Sequence, residues 1–212
     1  MKFIRHTPQI LLFKAKSRKE LTLTFCRVQE FYEAQNAKLR GKRFDFFKFV
    51  EEFLSEGGVL KYFHSWRGFN FPSNIYQEWR RLNPEPTPYE ARFIACVERA
   101  LPTGQPFYVI AMLAKDAPTL DHEIAHAMFF LDPAYRAAAT RLVRALPIRL
   151  RLRMEKTLKE FGYAKGVVVD EINAFLATSS NAYLLKKFKL QGRDLLPIAA
   201  FKASFRDAQQ RL

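Results

Sequence analysis

Residues 122–126 read His-Glu-Ile-Ala-His, which places two of the chain's four histidines within about one helical turn. Positions i and i+4 project from the same helix face, so both imidazoles reach a single metal ion. Glu123 is offset by about 100° around the axis, where its carboxylate faces a water on the metal without binding the metal itself. The chemistry implied is hydrolysis by a metal-activated water, with zinc as the metal and Glu123 as general base. From the chain's own composition, a chance match to this pattern is expected on the order of once in 200 such sequences. Small Ala125 and Ala127 flank the second histidine and leave room for a metal and a substrate.

A catalytic zinc site takes three protein ligands and keeps one position open, so a third donor must come from elsewhere in the chain. The candidates are His6, His64, Asp121, Asp132, Asp170 and Glu171. The last two form an acidic pair inside Val167-Val168-Val169-Asp170-Glu171-Ile172-Asn173-Ala174-Phe175-Leu176-Ala177, an otherwise apolar segment of helical spacing. A carboxylate embedded there is costly unless it is paired or holds a metal. The alternative is that both acids lie on a polar helix face. Asp121 or Asp170 is placed to orient a ligand imidazole through its second nitrogen. For Asp121 a plain helix-start charge is the simpler reading.

These residues resemble the gluzincin branch of the zincin metallopeptidases, in which H-E-x-x-H lies on one helix and a glutamate ligand on a later one. The resemblance covers Phe107 to Thr178, and Glu171-Ile172-Asn173-Ala174-Phe175-Leu176-Ala177 is similar to the E-x-x-A-(F/Y)-x-A glutamate helix of several such families. It implies His122, His126 and Glu171 as zinc ligands and Glu123 as base. A transition-state tyrosine shortly before the glutamate corresponds to Tyr163, with Tyr135 and Tyr183 as competitors. The expected activity is cleavage of peptide bonds in a peptide or protein substrate. In it the leaving amine receives the proton taken by Glu123, and a tyrosine hydroxyl donates to the oxyanion, worth roughly 3 kcal/mol.

Lys plus Arg number 35 against 21 Asp plus Glu, a net charge of +14. Eight basic residues and two acids lie between 136 and 160, and further basic clusters occur at 14–19, 38–43 and 186–189. Such a field favours acidic substrates. Nucleic-acid binding is the competing reading and requires the clusters to converge on one stripe with aromatic stacking groups. A third possibility is a zincin-fold protein that keeps its metal for structure or binding alone.

The elements around the motif follow from periodicity. Phe107 to Leu113 is a continuous apolar run of strand length, and Leu120 to Phe130 a helix that Asp132-Pro133 stops. Asp116 followed by Pro118 is the expected helix start. Helices are expected over 135–146, 148–161 and 167–185, and after Pro197. In the basic helix of residues 148–161, Leu150, Met154, Leu158 and Phe161 make the apolar side and Arg149, Arg153 and Lys156 the opposite one.

Further upstream, Leu21-Thr22-Leu23-Thr24-Phe25 alternates like a strand, Phe44 to Leu54 repeats like a helix, and residues 62–72 form an aromatic loop that packs as core. Tyr89 to Leu101 is another helix, and the proline-rich stretch Leu82 to Pro88 is the best boundary. The fold expected is α+β: a mixed region 1–84, either separate or packed into one domain with the rest, and a zincin-like metal-binding core 85–212, mainly helical, with the active-site helix after a small sheet. Two cysteines, Cys26 and Cys96, build no disulfide framework. With no export signal and no apolar stretch of membrane-spanning length, a cytoplasmic protein is expected.

Overall fold

The computed structural model describes residues 1–34, 36–55, 68–101, 104–115, 120–161, 163 and 165–211, with Ser55 by its backbone alone. The fold is mixed α+β, and it divides into two units, Met1–Ala117 and Pro118–Leu212.

The first unit carries a sheet of four strands, β1 (Lys2–Arg5), β2 (Ile10–Ala15), β3 (Gly68–Pro72) and β4 (Tyr108–Leu113), in the order β1-β2-β4-β3. β2 and β4 pair in parallel with Leu11 opposite Val109, and β1 and β3 flank them antiparallel. Side chains alternate across a strand, so Leu11, Phe13, Phe69, Phe71, Val109 and Ala111 share one face and enter a single core. Ile10, Leu12, Ile110 and Met112, on the other face, are buried as well, which is why β2 and β4 read as unbroken apolar runs. Gly68 is suited to its place in β3, since a Cβ there would stand 3.2 Å from the Ala111 carbonyl oxygen.

Helices α1 (Arg18–Glu33), α2 (Phe46–Ser55), α3 (Ser73–Leu82) and α4 (Pro88–Ala100) complete this unit. The phenylalanines do the filling: Phe93 of α4 meets Phe13 and Phe25 edge-on at 5.2 and 5.0 Å. Among them one ion pair is buried, Arg27 Nε at 3.1 Å from Glu90 Oε1, with the guanidinium over the Trp79 ring. Burial pushes the Glu90 carboxyl upward, and Arg27 offsets only part of that.

Three expectations are corrected in this unit. The alternation of residues 21–25 belongs to α1, because Ser17 caps the helix by accepting from the Glu20 N–H, and Leu21, Phe25 and Val28 form its buried stripe. The aromatic stretch ends in a strand, β3, with Phe69 and Phe71 in the core as expected; its residues 62–67 lie outside the described residues. The proline-rich stretch is no boundary between units. It joins α3 to α4, with Pro88 at the first position of α4 and Thr87 and Glu90 forming a capping box. The chain divides after Ala117 instead, because β4 is inserted between β2 and β3 and ties everything up to it into the first unit.

The second unit is helical: α5 (Leu120–Leu131), α6 (Pro133–Ala145), α7 (Ile148–Glu160), α8 (Val168–Thr178), α9 (Asn181–Lys187) and α10 (Ile198–Gln209). Asp132 ends α5 and starts α6, its Oδ1 accepting from the N–H groups of Ala134 and Tyr135 at 2.8 and 3.0 Å. The single helix expected over 167–185 is two. Ser180 adopts extended backbone and its Oγ accepts from the Tyr183 N–H, which opens α9. Along α7, Leu150, Met154 and Leu158 are buried as expected, whereas Phe161 is 51% exposed. The expected helix start at Asp116 and Pro118 lies outside the described residues. Both cysteines are free thiols, and no described helix is long and apolar enough to cross a membrane.

Candidate metal centre

Two helices of the second unit build the site. α5 buries Ile124, Ala125, His126, Ala127 and Met128, which leaves His122 half-buried one turn above His126. α8 packs against α5, α6, α7 and α10, and everything from Glu171 to Ala177 is buried. So enclosed a helix must be apolar, and Asp170 and Glu171 are tolerated because they lie in its first turn. There the unpaired N–H groups and the helix dipole favour negative charge.

The three expected ligands converge. His122 Nε2 and His126 Nε2 are 3.2 Å apart, His126 Nε2 is 3.5 Å from Glu171 Oε1, and His122 Nε2 is 3.8 Å from Glu171 Oε2. Tetrahedral zinc with ligand bonds near 2.0–2.1 Å needs donors about 3.3 Å apart, and this triangle is close to that size. One ligand atom from each residue lies within 4.8 Å of the others. Glu171 Oε2 is buried without a hydrogen-bond partner. A buried, unpartnered carboxylate oxygen facing an imidazole nitrogen is what a cation would satisfy. The donor set of two imidazoles and one carboxylate fits zinc.

Behind this triangle, Asp170 Oδ2 stands 2.9 Å from His126 Nδ1. A proton held on Nδ1 leaves Nε2 as the ligand nitrogen. Burial disfavours the charged form of His126, yet Asp170, Glu171 and Glu123 outweigh it and hold the imidazole proton well above the ordinary histidine range. Burial also raises Asp170, which His126 only partly counters. Burial raises Glu171 too, but His126, His122 and Lys187 bring it below its ordinary value.

Glu123 is half-buried on α5, near enough to His126 for its charge to favour the protonated ring. Asp121 is exposed in the first turn of α5, in line with a simple helix-start charge. The tyrosines separate. Tyr135 is 1% exposed and its hydroxyl is engaged by buried Asn173, whose amide donates to it at 3.1 Å. Tyr163 lies just after α7, its peptide N–H donating to the Leu158 carbonyl. Tyr183 is half exposed and stacks on Phe175, 6.3 Å between centroids.

Two features near the triangle were not foreseen from sequence. The Phe175 ring packs against His122 at 4.6 Å, and the Lys187 ammonium lies over that same ring. The i,i+4 spacing of Glu171 and Phe175 is the signal that they share a helix face; nothing in the sequence links Lys187 to it. Of the basic residues of α7, Arg151 pairs with Glu155, Arg153 with Asp194 and Lys156 with Glu160. No family model, no curated protein and no solved structure matches this chain.

Proposed function

We propose that the second unit is a zinc-dependent peptidase centre of gluzincin type. The observation that carries this reading is the convergence of His122, His126 and Glu171, with one carboxylate oxygen buried and unsatisfied at their meeting point. When bound, zinc supplies a Lewis acid that acidifies water towards a pKa of about 7 and polarises a carbonyl.

The protein's own residues supply the rest. His122, His126 and Glu171 hold the metal, and Asp170 fixes the His126 ring by accepting from its Nδ1. Glu123, next to the first histidine, takes the proton of the attacking water and returns it to the leaving amine, a role worth about 100- to 10,000-fold in rate. The oxyanion donor that the resemblance assigns is Tyr163, and Tyr135 is unsuited to it because its hydroxyl is already held by Asn173.

Glu123→Gln tests the catalytic half of the reading. The variant is expected to retain zinc and to lose hydrolysis of a broad peptide library. Zinc retained in both forms, with no turnover that depends on Glu123, would instead make the site a non-catalytic metal centre.

A further inference from the structure

Lys187, the last residue of α9, points its ammonium onto three aromatic faces at once: Phe161 at 4.7 Å, Phe175 at 4.6 Å and Tyr183 at 5.5 Å. A cation over aromatic faces is held in place by their quadrupoles without being neutralised. Among the described residues no carboxylate stands within ion-pair distance of it. Phe161 and Tyr183 are 51% and 45% exposed, so this holder opens at the surface. Its inner wall is the Phe175 ring, whose centroid is 4.6 Å from that of His122. The two separations of 4.6 Å place Lys187 Nζ at most about 9 Å from the His122 ring centre. Consecutive Cα atoms are about 3.8 Å apart, so that span is at most two to three residues of an extended peptide. Glu171 senses the lysine charge.

From this placement we infer that Lys187 is the anion-binding group of the site, and that the preferred substrate carries a carboxylate within about three residues of the bond that is cut. The inference rests on the peptidase reading and adds a substrate class to it. The carboxylate belongs either to the substrate's chain terminus or to an Asp or Glu side chain. Either one gives Lys187 the charged partner that no described residue provides, in a setting where aromatic walls displace water and strengthen the pair. A lysine that merely braced Glu171 would change metal affinity and would not discriminate between ligands.

The test starts with zinc uptake by the full chain, wild type and Lys187→Met. Zinc-loaded protein is then titrated calorimetrically with benzylsuccinate and with 2-benzylbutanoate, which has an ethyl group in place of the carboxymethyl. Wild type is expected to bind the dicarboxylate about tenfold or more tightly than the monocarboxylate. Lys187→Met should retain zinc and bind the two alike, and Lys187→Arg should restore most of the preference. Equal binding of the two probes by wild type, an undiminished preference in Lys187→Met, or loss of zinc in that variant would each overturn the anion site.

A wild type that takes up no zinc fails the peptidase reading itself, and the substrate class falls with it. Two peptide pairs then identify the carboxylate: a free terminus against its amide, and Asp against Asn after the scissile bond. Discrimination in the first pair assigns the chain terminus, discrimination in the second a side chain, and none in either overturns the assignment.

Discussion

Asp170 Oδ2 and His126 Nδ1 stand 2.9 Å apart, which turns the other nitrogen of the same ring towards His122 and Glu171. One helix, α8, therefore provides both a candidate metal ligand, Glu171, and the carboxylate that aims the His126 ring, from adjacent residues.

That adjacency predicts the effect of Asp170→Asn. The amide oxygen still accepts from Nδ1 but no longer carries the charge that raises the basicity of the imidazole. Zinc affinity, measured by competition with a chromophoric chelator, should fall roughly 10- to 100-fold with the helical far-UV spectrum unchanged. An unaltered affinity would remove Asp170 from the site.

Tyr135→Phe separates structure from catalysis. Removing the hydroxyl leaves buried Asn173 without its partner and should cost about 1–3 kcal/mol in urea unfolding. Zinc content and hydrolysis are expected to survive in this variant, whereas Tyr163→Phe should lower turnover and leave zinc in place. A large loss of turnover in Tyr135→Phe, with stability unchanged, would reverse the two roles.

Asp132 gives the second unit an acid-sensitive joint. It caps α6 and its Oδ2 accepts from Arg211 at 2.9 Å. Burial raises its pKa, but Arg211 and the Tyr135 and Ala134 N–H groups hold it below the ordinary 3.8. A carboxyl depressed on folding contributes stability above its unfolded value and loses it as pH falls through the folded one. Asp132→Ala should therefore cost about 1 kcal/mol at neutral pH. Wild type and variant should converge as the pH falls from 3.8 through the lower folded value. A difference that persists there would show that the cap acts without its charge.

In the first unit, Glu90→Ala strands a buried guanidinium and should destabilise by about 3–5 kcal/mol, read from chemical denaturation. Replacing both partners, Arg27→Met with Glu90→Leu, should recover most of that loss.

Much of this architecture is legible from periodicity and composition. The buried strand β4, the helix bearing His122 and His126, and the buried stripe of α7 all follow from apolar spacing, and Glu171 stands out as a carboxylate in an apolar segment. What periodicity misses is local competition. A Thr-Leu alternation in residues 21–25 looks like a strand until the Ser17 cap and the longer Leu21, Phe25, Val28 stripe are weighed together. Likewise Ser180 divides a long apolar pattern by capping a new helix inside it. The three prolines near residue 85 punctuate helices, and only the sheet order reveals that the chain beyond them returns to the same sheet. Lys187 stands in the sequence only as one basic residue in a cluster: Tyr183 lies one turn before it on α9, but Phe161 and Phe175 come from other segments that tertiary packing brings to it.

The zinc content of purified protein tests the centre most directly, by elemental analysis of wild type and Glu171→Ala side by side. About one zinc per chain in wild type is expected, lost in the variant while its helical far-UV spectrum is retained. Folded wild type without zinc, or a Glu171→Ala protein that holds the metal as tightly as wild type, would contradict the site.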